Sequence, residues 1–156
     1  MASLQHTHAR RVAALAAALF VSSAVFTACD DDPTTPVTPV EYQAELVGAG
    51  EHEDVEGLAT VTARSTSFDA EIEIANAEAD AEFTWQVASG TCAAPGSRVG
   101  SAAQYDDLEV GEDGTASAEA EVPVGLSASG SYIVRVLDES GDEPVTVACG
   151  ALETDD

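Results

Sequence analysis

The sequence predicts an all-β domain over residues 41–152, built as an antiparallel β-sandwich or flattened barrel of about eight short strands. Short runs in which apolar and polar residues alternate recur along this range, and a period of two is typical of strands with one buried face. Glycine and acidic residues separate the runs, as expected for the turns of an antiparallel sheet. Aromatic residues are few, but alternating Ala, Val, Ile and Leu can still form a modest core.

The alternating runs follow one another closely, and we expect each of them to form one strand. Residues 68–74 are the clearest case, because their apolar members alternate strictly with Asp and Glu. Asp113 and Gly114 favour a tight hairpin between residues 105–110 and 115–122. The predicted strands lie at residues 42–48, 59–63, 68–74, 83–88, 105–110, 115–122, 131–137 and 145–149.

Residues 82–92, EFTWQVASGTC, contain the only tryptophan of the chain and the first cysteine of the predicted domain. Their in-and-out alternation predicts a strand that covers the core. The two faces of this strand are Phe83, Trp85 and Val87 toward the core, and Thr84, Gln86 and Ala88 away from it.

The chain is strongly acidic, with 29 Asp and Glu against 5 Lys and Arg. No acid precedes Asp30, so three arginines stand against 29 acids from Cys29 onward, a side-chain net charge of −26. A field of that sign repels nucleic acid and anionic lipid headgroups, so no nucleic-acid partner is expected. Two interpretations of the acidity stay open: solubility under harsh ionic conditions such as high salt, and weak binding of divalent cations.

Residues 1–28 resemble the signal peptide of a bacterial lipoprotein. A basic start with Arg10 and Arg11 precedes a mostly apolar run over residues 12–26, which is shorter than the roughly 20 residues of a transmembrane helix. The sequence Phe-Thr-Ala-Cys that ends at Cys29 is similar to a lipobox, in which a small residue precedes the lipidated cysteine. The resemblance implies cleavage before Cys29, acylation of Cys29, and a lipid-anchored location in the bacterial cell envelope, periplasmic or at the cell surface.

Two short segments flank the predicted domain. Residues 29–40 join the lipidated cysteine to three aspartates, three prolines and three threonines, a composition typical of an extended spacer. Residues 153–156 form a short acidic tail.

The three cysteines are Cys29, Cys92 and Cys149. If Cys29 carries lipid, the other two remain in an exported and therefore oxidising setting, where a Cys92–Cys149 disulfide is the simplest pairing. The long span between them predicts a stabilisation on the order of 4 kcal/mol. An ordinary secreted protein in which Cys29 is free is the alternative.

Three patches within residues 42–152 resemble known domains. The opening, YQAELVGAGEHEDVEGLATVTAR, resembles the start of chordin-type (CHRD) domains. The middle, WQVASGTCAAPGSRVG with AAQYDDLEVGEDGTASA, and the end, SYIVRVL with VACGALE, resemble bacterial domains related to copper/zinc superoxide dismutase. The resemblance implies a Greek-key β-sandwich in which Cys149 holds the position of that family's disulfide cysteine and Cys92 is its partner.

The residues that bind metal in such relatives are replaced here. Those relatives carry a His-x-His pair before the Gly-Thr-Cys sequence and a further histidine at the end of the Tyr-x-Val-x-Val strand. The matching positions are Gln86, Ala88 and Leu137, on the face opposite Trp85. Amide and alkyl groups cannot supply the imidazole nitrogens of copper and zinc sites. The only histidine after Cys29 is His52, which we interpret as solvated surface, so we expect no metal cofactor.

Other chemistry is only weakly indicated. Nucleophilic catalysis needs a base beside Ser, Cys or Thr, and only His52 is available as a histidine base; no pair of carboxylates stands out for acid–base work. Calcium suits so many acids, and residues 51–56 and 138–143 are oxygen-rich loops, but neither has EF-hand spacing. The loops therefore predict at most weak calcium binding.

We therefore expect a non-catalytic envelope lipoprotein in which a degenerate superoxide dismutase-like or CHRD-like domain acts as a structural or binding module. A superoxide dismutase-type metalloenzyme with an atypical site is one alternative, and it rests on similarity of fold alone. A weak calcium-dependent adhesion or matrix module is the other, and it rests on the charge. The sequence names neither the ligand or protein partner nor the membrane.

Overall fold

The structure, a computed structural model, describes residues 38–154. These residues form ten β-strands and two short 3-10 helices at Gly50–His52 and Ala102–Gln104, and among them no helix is long and apolar enough to cross a membrane. The predicted all-β fold is confirmed. The strands are β1 (Val40–Gly48), β2 (Glu56–Ala63), β3 (Phe68–Ala75), β4 (Glu82–Thr91), β5 (Ala94–Arg98), β6 (Leu108–Glu109), β7 (Ala116–Val122), β8 (Tyr132–Asp138), β9 (Val145–Ala151) and β10 (Glu153–Thr154).

Eight of the strands form one continuous antiparallel sheet in the order β5-β4-β8-β9-β1-β2-β3-β7, while β10 pairs with β1 and β6 pairs with β4. Strands β1, β2 and β3 follow one another as neighbours, whereas β9 returns from far along the chain to lie beside β1, as in a Greek key. Near β6, Tyr105 forms a bridge to Ala120 of β7. Because this region touches both β4 and β7, the sheet curls into a flattened barrel.

The inward faces of the strands enclose the hydrophobic core, and β3 shows how the sequence builds it. Phe68, Ile72 and Ile74 are buried, whereas the alternating Glu71 and Glu73 are exposed. Alternation with a period of two places every second side chain on the core side. The same pattern buries Phe83, Trp85 and Val87 of β4, as predicted.

Two aromatic residues fasten the connection between β5 and β7 to this core. The indole Nε1–H of Trp85 donates to the carbonyl oxygen of Asp106 at 2.7 Å. The ring of Trp85 meets Tyr105 edge to face, with 5.1 Å between centroids, and the Tyr105 hydroxyl donates to the carbonyl oxygen of Val99 at 2.7 Å. Both polar tips are therefore satisfied although the rings are buried.

The predicted hairpin between residues 105–110 and 115–122 forms only in part. The turn closes, with Gly114 at φ 77° and the Gly111 N–H donating to the Thr115 carbonyl oxygen at 2.9 Å, and Tyr105 bridges Ala120. Between these two points β6 pairs with β4, while β7 pairs with β3. Leu108 is fully buried opposite Phe83. Burial of these two apolar side chains against each other outweighs the local preference of the Asp-Gly turn for a two-stranded hairpin.

Strand β5 was not predicted, because its sequence APGSR has no apolar alternation and all of it is exposed. It lies at the edge of the sheet, where Pro95 is tolerated because its missing N–H is not needed by a further strand. Gly96 is needed for the close approach to β4, since a Cβ there would lie 2.4 Å from the hydroxyl oxygen of Ser89. Strand β5 is therefore held by its backbone pairing with β4 rather than by burial of its side chains.

A β-bulge in β9 decides where Cys149 points. Val136 of β8 pairs with Ala148, but Leu137 pairs with Thr146, so Val147 is an extra residue. Val147 and Ala148 are both fully buried. The simple alternation expected over residues 145–149 therefore fails, and Cys149 shares a face with its register partner in β8 rather than with Val147.

Because the Tyr105 hydroxyl is buried, the stability of the fold should change with pH in the alkaline range. Burial raises the pKa of Tyr105 from 10.0 to about 12, so its contribution to stability is complete below about pH 10 and is lost as pH rises through about 12. Tyr105→Phe removes this titration and leaves the Val99 carbonyl without its donor. We expect the variant to be about 1 kcal/mol less stable at neutral pH, and to lose less stability than the parent at alkaline pH. Urea unfolding followed by tryptophan fluorescence measures both; parallel pH curves would contradict the prediction.

Candidate functional site

The candidate site is the face of β4, β8 and β9 that points away from the core, which we call the outer face. Cross-strand register defines it, because residues directly opposite one another in a sheet project to the same side. Gln86 of β4 lies opposite Arg135 of β8, which lies opposite Cys149 of β9. The outer face comprises Thr84, Gln86, Ala88, Ile133, Arg135, Leu137 and Cys149.

The three positions that the resemblance assigns to metal ligands lie together on the outer face. They are nevertheless closed to solvent, since Gln86 is 7%, Ala88 0% and Leu137 6% exposed. Ile133, which lies opposite Ala88, is also fully buried and stands apart from the main core cluster. The outer face therefore has a small buried layer of its own.

The Cys92–Cys149 disulfide explains part of this cover. The predicted bond is present, with 5.9 Å between the Cα atoms and a sequence separation of 57. Cys92 follows β4, Cys149 lies in β9, and β8 runs between these two strands. Strands two places apart in a sheet are about 10 Å apart, so the turn that carries Cys92 has to lean across the outer side of β8. The disulfide and this turn therefore cover part of the outer face.

Two arginines provide the polar contacts of the site. Arg98 of β5, the register partner of Ala88, donates from Nη1 to the Gln86 Oε1 atom at 3.1 Å. Arg135 donates from Nη2 to the Thr146 hydroxyl at 2.8 Å. Within residues 38–154 neither arginine forms an ion pair, whereas Arg64 does so with Asp69. Because guanidinium groups stay charged, the outer face is locally positive in a strongly acidic domain.

This set of groups does not fit copper or zinc. Both ions need imidazole, thiolate or carboxylate donors, but the three positions offer an amide and two alkyl groups, and the Cys149 sulfur is held in the disulfide. Arg98 and Arg135 would repel a cation placed between them. In the part of the chain that the structure describes, no three His, Cys, Asp or Glu side chains are grouped so as to hold a metal ion.

His52 lies away from the outer face and is half-buried, not simply solvated as expected. Its ring packs edge to face against Phe83, with 5.9 Å between centroids. Nearby Asp138 accepts a hydrogen bond from the Ser140 N–H at 2.8 Å. Hydrogen bonding by the side chain and then by the backbone N–H of Ser140 lowers the pKa of Asp138, with a smaller contribution from the charge of His52. Asp138 thus stabilises its own turn, and calcium binding by the loops at 51–56 and 138–143 stays a prediction.

Comparison with known proteins adds no identification. No protein-family model matches the chain, and no curated protein matches it. The resemblance to CHRD and superoxide dismutase-like domains therefore stays a prediction that rests on the residues quoted above. Cys29 and the signal peptide lie outside the described residues 38–154, so lipidation of Cys29 stays a prediction as well.

Arg98 and Arg135 are members of the site that the sequence pattern did not single out, although it carried one signal for Arg135. Arg135 alternates with Val134 and Val136, and this alternation places it on the same side as Leu137. Arg98 could not be placed in this way, because β5 has no alternation. Only the pairing of β5 with β4 brings it beside Gln86.

The stability of the domain should depend on the hydrogen bond that Arg98 donates to the buried Gln86 amide. Arg98→Met leaves the Gln86 Oε1 atom buried without this donor, so we expect the free energy of unfolding to fall by about 1–3 kcal/mol. Gln86→Leu/Arg98→Met removes both polar partners and should recover most of the loss. The control is Arg64→Met, which breaks an exposed ion pair worth less than about 1 kcal/mol. Chemical denaturation measures all three variants, and additive losses in the double variant would contradict the prediction.

Proposed function

We propose that this chain is a non-catalytic lipoprotein of the bacterial cell envelope, whose β-domain is a structural or binding module anchored to a membrane through Cys29. The observation that carries the proposal is the closed and positively charged outer face. Gln86, at a position that the resemblance assigns to a metal ligand, is buried and bonded to Arg98. A metal-dependent reaction on this face would need donor atoms that these side chains lack.

The cysteine count supports the lipid anchor. Cys92 and Cys149 are bonded to each other, so Cys29 is the only one of the three cysteines without a partner in the chain. Acylation at that position would bind the membrane through about 0.8 kcal/mol for each buried CH₂ group. The proline-rich residues 30–40 would then hold the domain away from the bilayer, by up to roughly 3 Å per residue.

Metal loading tests the non-catalytic half of the proposal. The purified full chain, incubated with copper and zinc and then desalted, should retain far less than one ion per chain. Its rate of superoxide removal should not exceed that of the same amount of free metal ion, because the outer face offers no imidazole donors. Elemental analysis and a superoxide assay measure the two quantities. Stoichiometric metal together with activity would instead favour the dismutase alternative.

Membrane fractionation tests the anchor. The parent chain expressed in a bacterium should be found with the membranes and should incorporate labelled fatty acid. Cys29→Ser should abolish the label and move the protein to the soluble fraction, because the lipid is the proposed source of membrane affinity. Cys92→Ser/Cys149→Ser is the control that keeps Cys29. Fatty-acid labelling that persists in Cys29→Ser would refute the assignment.

A further inference from the structure

The outward side of the sheet continues beyond the outer face, from Cys149 to its register partner Val47. Over β1, β2, β3 and β7 it is exposed, and we call this part the acidic face. Four grooves on it share lining residues, including Leu58, Glu73 and Glu119, so they run into one another. Every charged side chain that lines these grooves is Asp or Glu.

One of the grooves combines these acids with exposed apolar side chains. Val47 is 68% exposed and Leu58 is 47% exposed, and both line it. Leu58 lies directly between Glu45 of β1 and Glu73 of β3. Val47 lies between Glu56 of β2 and Cys149 of β9. The groove therefore offers two exposed apolar side chains, each beside at least one carboxylate.

The arrangement of the acids on the acidic face lowers the stability of the sheet. Glu71 of β3 lies directly opposite Glu119 of β7, and Asp69 lies opposite Glu121. Like charges in directly opposed positions destabilise a sheet. Arg64 relieves the second pair through Asp69, but among the described residues no cation pairs with Glu71 or Glu119. Solubility alone does not require opposed acids, whereas a cationic partner would remove their repulsion.

We propose that the acidic face binds a basic amphipathic segment of a partner protein. Lysine or arginine side chains of the partner would meet the carboxylates, and its apolar side chains would cover Leu58 and Val47. The inference deepens the proposed binding role and rests on it. The net charge of −26 from Cys29 onward disfavours both nucleic acid and a second copy of this chain. A lone metal ion is disfavoured because the acids of residues 38–154 are not grouped as ligands.

Two fluorescent probe peptides test the proposal against the purified full chain. One short peptide carries lysines and leucines, and the second has serine in place of each leucine. We expect the leucine peptide to bind about tenfold more tightly by anisotropy, which corresponds to about 1.4 kcal/mol. Val47→Thr/Leu58→Thr should remove this advantage. Val145→Thr is the matched control, since Val145 is 53% exposed but does not line the grooves, and it should change affinity by less than about twofold.

A second pair of variants tests the contribution of the carboxylates on the acidic face. Glu45→Gln/Glu73→Gln removes the carboxylates on both sides of Leu58 and should weaken both peptides by about tenfold. Glu139→Gln/Asp142→Asn removes the same number of charges from an exposed turn outside the grooves, and it should leave both affinities within about twofold. Circular dichroism checks that each variant is folded.

Equal affinities for the two peptides, no binding, or equal losses in the groove and control variants would overturn the proposal. If the two affinities, or the losses in the groove and control variants, were equal, the net charge of the chain alone would account for the binding of the peptides. Any of these results would leave metal loading and the fractionation of Cys29→Ser unaffected. Failure of this inference is therefore distinguishable from failure of the proposed function.

Discussion

The Cys92–Cys149 disulfide joins the turn after β4 to β9 across the outer side of β8, and the arrangement of the outer face depends on it. Closing a loop of 57 residues contributes on the order of 4 kcal/mol by restricting the unfolded chain. The bulge at Val147 turns Cys149 outward to make the bond. Gln86 and Ala88 on this face are buried, and the Arg98 guanidinium supplies the hydrogen bond that the buried Gln86 amide needs.

The charges of the domain are unevenly distributed over the sheet. Arg98 and Arg135 lie at the outer face, Arg64 pairs with Asp69, and the opposed Glu71 and Glu119 have no cationic partner among the described residues. Acidity that serves solubility alone does not require directly opposed acids. A local rule that is broken without compensation within the fold is a reason to look for a partner. The closed outer face and the uncompensated charges of the acidic face therefore both support the proposal that the domain is a binding module.

Alternation in the sequence predicts the all-β fold, most strand positions and the inward side of β3 and β4, because burial of one face imposes a period of two. It fails where other constraints decide. β5 is an exposed edge strand held by backbone pairing with β4. β6 pairs with β4 rather than with β7, and this pairing places Leu108 opposite Phe83. Alternation also places Gln86 on the outer face without indicating that the face is covered, since cover by a non-adjacent turn is a property of tertiary structure. Cysteine parity predicts the disulfide, but not its path over β8.

We infer that the outer face is closed to metal ions, because Gln86, Ala88 and Leu137 are buried and offer no imidazole nitrogen. In an NMR titration of the full chain with Zn²⁺, the backbone amide signals of these three residues should stay unchanged as zinc is added. Any small, salt-sensitive shifts should be confined to residues among the exposed acids, since weak association of cations with solvated carboxylates is screened by salt. Saturable shifts at Gln86, Ala88 and Leu137 that survive high salt would show instead that the outer face binds zinc.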